Sequence, residues 1–297
     1  MFKNKFMDIS LVFSALAALG YALGAIFSKQ ALAEGCGIFR LCMLTNMCFV
    51  MVFSILLTLE QGEAIPWEQI HLPILTGTLF FMGQLLTILA IRMGDVSLQT
   101  PIMGTKAVFV VLIALILGTE SISPELVLAA VLAMVAIALL GFSGGGAKNV
   151  GLTLVLALSS SLVFAGSDVM VAAFGEDFGV SEFLFIVMLV NGLWSLLLIP
   201  FFNGSIREIR REAWIWILLG ALLMSFQAML LNYSLARYQN VSAMNIIYSS
   251  RGLFSVFLAL PIAMMFGLPR ELLTKRMIWQ RGAGASLLCI AIAIVFS

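Results

Sequence analysis

Apolar residues run through this chain in long blocks, each near the length that crosses a bilayer, parted by short polar or Gly/Pro-rich breaks. A helix needs about 20 apolar residues to span the hydrocarbon. Ten stretches meet that need, at 9–33, 37–59, 70–91, 96–118, 125–143, 150–174, 181–202, 213–236, 241–266 and 281–297. The pattern predicts an all-α polytopic membrane protein with ten transmembrane helices. The first stretch follows Lys3 and Lys5 but is far longer than the apolar core of a cleaved signal, so it reads as a retained helix.

Composition removes the alternatives. Hydrophobic residues make up 62% of the 297, charged residues 10%, and mean hydropathy is +1.12. No soluble domain has such a balance, and little chain is left over to form one. A net charge of +1 gives no reason to expect a nucleic-acid partner, which leaves membrane lipid and a small-molecule substrate. Arg40, Arg92, Lys148, Arg207, Arg210, Arg211, Arg270, Lys275, Arg276 and Arg281 fall on one side of a ten-span topology, against Lys3, Lys5 and Arg237 on the other. The positive-inside rule then puts both termini outside. Cys36, Cys42, Cys48 and Cys289 form no CxxC pair and read as small apolar helix residues. No metal site or cofactor is expected.

The chain repeats itself at an interval of 145 residues. That shift lays Arg92, Val96, Ser97, Lys106, Phe109 and Val111 on Arg237, Val241, Ser242, Arg251, Phe254 and Val256. It also lays Asn46 on Asn191, Ser14 on Ser159 and Pro124 on Pro269. Five helices are an odd number of crossings, so a second copy enters the membrane from the opposite side. Residues 1–146 and 147–297 are therefore expected to be a 5+5 inverted repeat, an arrangement recurrent in secondary transporters that bind substrate near the midplane.

With ten helices in a 5+5 repeat, the segment LGTESISPELVLAAVLAMVAIALLG at 117–141 and FSKQAL at 27–32, the chain resembles the EamA family of the drug/metabolite transporter superfamily over its whole length. Gly118, Glu120, Ser121 and Ser123 match the family's usual end to helix 4, and Lys29 its lysine late in helix 1. The chain departs from the family pattern at Tyr21, where a Trp is usual, and in having no proline between Lys106 and Gly118. The second repeat carries only a weak version of the helix 4 ending, at Gly267 to Glu271. The resemblance implies a carrier of small metabolites in a membrane, with a bacterial inner membrane as the expected location. It also makes plastid sugar-phosphate exchangers of the same superfamily relevant, which place basic residues in a central site.

The residues that stand out chemically are Lys106 and Arg251, cations near the middle of apolar stretches. Such a charge costs roughly 2.5–3.5 kcal/mol on insertion scales, so it normally faces a protein interior or a watery cavity. At a helical period Lys106 shares a face with Gln99, Met103, Val110 and Ile113, and Arg251 with Met244, Tyr248 and Ser255. Thr45, Asn46, Gln84, Thr87, Asn191, Ser195, Gln227 and Asn232 add polar groups from other apolar runs. The expected substrate-binding set is Lys106, Arg251, Tyr248, Asn46, Asn191 and Gln84, suited to an anionic or zwitterionic solute: an amino acid, an organic acid or a phosphorylated metabolite. Asp168 and Lys29 are the expected coupling or gating residues, through proton or counter-solute coupling. A buried carboxylate can load and release a proton, while a neighbouring cation such as Lys29 would keep it ionised. The competing reading makes a pairing of Lys106 or Arg251 with Asp168 a purely structural tie, and lets Lys29 snorkel to the surface.

Other functions find less support. There is no GxxxxGK[ST] loop for a primary pump; Gly141 to Lys148 reads as the linker between repeats. The string Gly141-Phe142-Ser143-Gly144 with His71, the one histidine, would be the dyad of an intramembrane serine protease, but its members fall near opposite sides. An exporter of neutral or cationic drug-like metabolites is the main alternative, and a channel a further one.

Overall fold

A computed structural model describes residues 2–60, 65–93, 102–141, 150–266 and 275–296. They form helices α1 (Phe2–Ala33), α2 (Ile38–Leu59), α3 (His71–Met93), α4 (Lys106–Leu117), α5 (Pro124–Gly141), α6 (Val150–Phe178), α7 (Val180–Ser195), α8 (Arg211–Tyr238), α9 (Val241–Tyr248), α10 (Arg251–Phe266) and α11 (Lys275–Phe296). No strand occurs among the described residues. In hydrocarbon every backbone N–H and C=O must be satisfied within the chain, and a helix does this by itself.

Seven described segments are long and apolar enough to cross a membrane: Ile9–Ala33, Ile38–Leu59, Trp67–Arg92, Val150–Phe178, Val180–Phe201, Arg211–Tyr238 and Trp279–Phe296. Lys106–Leu117 and Pro124–Leu140 are shorter apolar helices. The stretch expected as one helix over 241–266 is divided into α9 and α10 at Ser249-Ser250. There the Ser250 N–H bonds to the Ile247 carbonyl at 2.9 Å, a 3₁₀ step. The same step lies 145 residues earlier, where the Thr105 N–H reaches Ile102 O at 3.0 Å just before Lys106. Each cation thus opens the helical segment that follows a tightened turn.

Packing pairs α1 with α8, α3 with α6 and α5 with α11, with α2 against α7 and α8, and α4 against α6 and α9. The α1–α8 seam is closed by small residues. A side-chain carbon at Gly24 would meet Met224 Cγ at 3.1 Å, and one at Gly220 would meet Ser28 Oγ at 2.9 Å. This close approach is the usual substitute for a hydrophobic driving force between helices in lipid.

The helix ends form two faces. On one, the buried Arg40 donates to Gly35 O (2.9 Å) and Ser205 O (3.0 Å), and Arg92 lies over the Phe39 ring. On the other, the Tyr233 hydroxyl donates to Glu60 at 2.8 Å, and Arg237 pairs with Glu176 at 3.3 Å. There too Glu120 accepts the Ser242 N–H at 3.1 Å, capping the first turn of α9 from the loop between α4 and α5. Burial pushes the Glu120 carboxyl above its ordinary 4.5, with the Ser242 bonds pulling the other way.

Candidate functional site

Residues of α1, α2, α3, α4, α5, α6, α8, α9 and α10 line a cavity of about 470 Å³. Towards the face that bears Arg40 and Arg92 its lining runs as far as Ile38, the first residue of α2, and Leu140 near the end of α5. Towards the other face the lining stops at Phe49, Phe80, Asp168 and Asn232. Beyond them the packed side chains of Phe53, Phe178, Phe183, Leu184 and Leu235 fill the bundle.

Lys106 and Arg251 both line the cavity, the first ion-paired and the second without a carboxylate partner among the described residues. The Lys106 ammonium lies 2.7 Å from Asp168 Oδ2, with both side chains almost wholly buried, and it stands over the Tyr248 ring at 5.6 Å and the Phe164 ring at 5.9 Å. Arg251 makes no ion pair among the described residues. Its guanidinium lies between two phenol rings, 4.9 Å from the centroid of Tyr21 and 4.7 Å from that of Tyr248. The rings themselves meet edge to face at 6.1 Å, and the Tyr248 hydroxyl donates to Gln227 Oε1 at 2.8 Å. The Gly252 and Phe254 N–H groups are bonded back to Ser249 and Ser250. Those two N–H groups at the start of α10 are therefore already satisfied by the turn before it.

Asn46 and Gln84 lie side by side on the wall and satisfy each other: Asn46 Nδ2 donates to Gln84 Oε1 at 2.9 Å, and Gln84 Nε2 returns to Asn46 Oδ1 at 3.1 Å. Of the other expected polar residues, Thr45, Thr87, Gln227 and Asn232 are on the lining, with Met103 and Ser255 from the two cation faces. Asn191 and Ser195 are not. Asn191 is fully buried in α7, and neither atom of its amide has a hydrogen-bond partner. Met244 is packed in the core, not at the cavity. Lys29 is exposed towards the end of α1 and is not the cation beside Asp168; that cation is Lys106. The snorkelling reading of Lys29 fits its position. Gln99 and Ser143 lie outside the described residues. His71 begins α3, and α5, which leads to Ser143, ends at the opposite face from it.

Tyr21 is the residue that sequence reasoning passed over as a site residue. Its signal was a phenol in the middle of an apolar helix, in a chain with only four tyrosines. That signal became specific only when α1 packed against α10.

Long apolar helices packed around a central cavity make this an integral, multi-pass membrane protein. Residues 8–142 match the sequence model of the EamA-like transporter family, a family of the drug/metabolite transporter superfamily. The family consists of transporters, which supports a non-enzymatic role. A crystal structure of another protein superposes on 96% of this chain and 94% of its own, with a TM-score of 0.76 at 14% identity. That likeness shows the fold alone. No curated protein matches the sequence.

Proposed function

We propose that the protein is a secondary carrier that moves a small anionic or zwitterionic metabolite by alternating access across a bacterial inner membrane. In this reading ten crossing helices form two inverted five-helix units, 1–146 and 147–297. Three observations support that architecture. The 3₁₀ steps recur at 145 residues, α1 packs on α8 as α6 packs on α3, and α2 meets α7.

The observation that carries the binding role is Arg251, a guanidinium at mid-helix depth in a cavity, flanked by two phenols and with no carboxylate on it. Removal of such a charge from water needs a counter-ion, and a substrate carboxylate or phosphate supplies one with two parallel hydrogen bonds. Lys106 contributes through its field and through Tyr248, the ring it shares with Arg251. Asp168 is the group assigned to coupling: any step that parts it from Lys106 leaves two buried charges without partners, which a proton or counter-solute would have to offset.

The test is thermal stability of the purified protein against anionic, zwitterionic, neutral and cationic metabolites, beside Lys106→Ala and Arg251→Ala, followed by counterflow in proteoliposomes. A ligand at a hundredfold excess over its Kd adds about 2.7 kcal/mol. Stabilisation by anions or zwitterions that vanishes in Arg251→Ala is the expected result. Export of a cationic solute is the second reading, favoured by Asp168 and the aromatic lining; stabilisation by cations alone, unchanged in Arg251→Ala, would establish it instead.

A further inference from the structure

The geometry points to an organic monoanion with an apolar body as the solute, its one charged head held by Arg251, with sugar phosphates and dicarboxylates as poor ligands. This rests on the anion-binding reading above and narrows it.

Charge is the first reason. Three Lys, Arg or carboxylate side chains line the cavity: Lys106, Asp168 and Arg251. Lys106 and Asp168 cancel each other at 2.7 Å, which leaves a single positive charge on the guanidinium. One anionic group cancels that charge. A second would have to stand in an apolar wall without a cation, or take Lys106 and strand the Asp168 carboxylate, and a buried charge that loses its partner is strongly unfavourable.

Hydrogen bonding is the second. Most polar side chains of the wall are engaged with one another or with their own helices, with Ser28, Thr45 and the Tyr21 hydroxyl the exceptions. Asn46 and Gln84 form a closed pair, and Tyr248 is tied to Gln227. Thr87 meets the Ser160 hydroxyl at 2.7 Å, Asn232 donates to Ala228 O at 2.8 Å, and Ser255 to Arg251 O at 2.8 Å. A polyol carried into this space would leave hydroxyls without partners, each at a desolvation cost. Much of the remaining wall is hydrocarbon and ring: Leu41, Phe49, Phe80, Phe164, Met224 and Leu231. Two phenols stand over the guanidinium, an arrangement in which its N–H edge meets a carboxylate or sulfonate in a fork.

The experiment uses the full chain in lipid nanodiscs and titrates it, by thermal stability, with straight-chain monocarboxylates from propionate to heptanoate. Beside each stand the dicarboxylate, α-amino acid, neutral amide and amine of the same chain, and a hexose phosphate. Affinity for the monoacids should rise about four-fold per methylene. The dicarboxylates, amino acids and hexose phosphate should bind at least roughly ten-fold more weakly than the matched monoacid. The monoacid series should go flat in Arg251→Gln and persist in Arg251→Lys. If the dicarboxylate, amino acid or sugar phosphate equals or beats the monoacid, this inference falls and the anion site stands. If the amide or amine binds as well as the acid, the anion site falls with it. A chain-length slope unchanged in Arg251→Gln reports lipid partitioning and overturns the inference, as does a series with no shift at all.

Discussion

Lys106 and Asp168 hold each other's charge in a wall that offers neither a second partner at salt-bridge distance. Asp168→Asn strands the ammonium and should cost about 3 kcal/mol; Lys106→Met should cost a similar amount by stranding the carboxylate. The double variant should recover most of the loss in chemical unfolding, and simple addition of the two losses would refute the pairing as an energetic unit. Asn191 is the opposite case. Its counterpart Asn46 is satisfied by Gln84, but 145 residues after Gln84 the chain has Met229, which donates nothing. The Asn191 amide is left buried with neither atom bonded, a deficit worth about 1–3 kcal/mol. Asn191→Leu, close in volume, should raise stability by about 1 kcal/mol, and a lower melting temperature would mean that the amide holds a polar partner.

Among the elements, the α1–α8 seam matters most to the site, because α1 brings Tyr21 and α8 brings Gln227. Gly220→Val would drive a carbon against Ser28 Oγ and Ser28 N, at 2.9 and 3.1 Å, so the helices must part. The expected loss is about 2 kcal/mol, with weaker ligand stabilisation. The same change at Gly151, where nothing lies within 4 Å, is the control and should leave ligand stabilisation unchanged. The 3₁₀ steps ahead of Lys106 and Arg251 are the natural points for these helices to bend, since a tightened turn in mid-helix is a common hinge. The sequence marks the first, where Pro101 and Gly104 precede Lys106, but not the second, where Ser249 keeps right-handed helical angles and Ile247 to Ser250 holds neither glycine nor proline.

At the scale of the molecule, the cavity is lined out to one face, and side-chain packing fills the bundle towards the other, where Glu120 ties the loop after α4 to α9. The raised pKa of the Glu120 carboxyl gives this tie a pH dependence of definite sign. The folded state holds the Glu120 proton more tightly than the unfolded chain, so its contribution to stability is full below the ordinary 4.5 and is lost as pH rises through the raised value. Glu120→Gln keeps an acceptor for the Ser242 N–H but cannot titrate. Its melting temperature should fall less than that of the parent as pH is raised from 4.5 to neutrality; parallel curves would contradict the assignment. Helical class, seven of the ten expected spans, the cations and most of the cavity's polar residues were legible in one dimension. Hydrocarbon tolerates only backbone that satisfies itself and charge that has a reason, so length and polarity alone report both. The partner of Asp168, the burial of Asn191, the exposure of Lys29 and the place of Tyr21 beside Arg251 were not legible. Asp168 lies far from both cations in sequence, and only the packing of α6 on α4, and of α1 on α10, decides which charge is cancelled and which is left open.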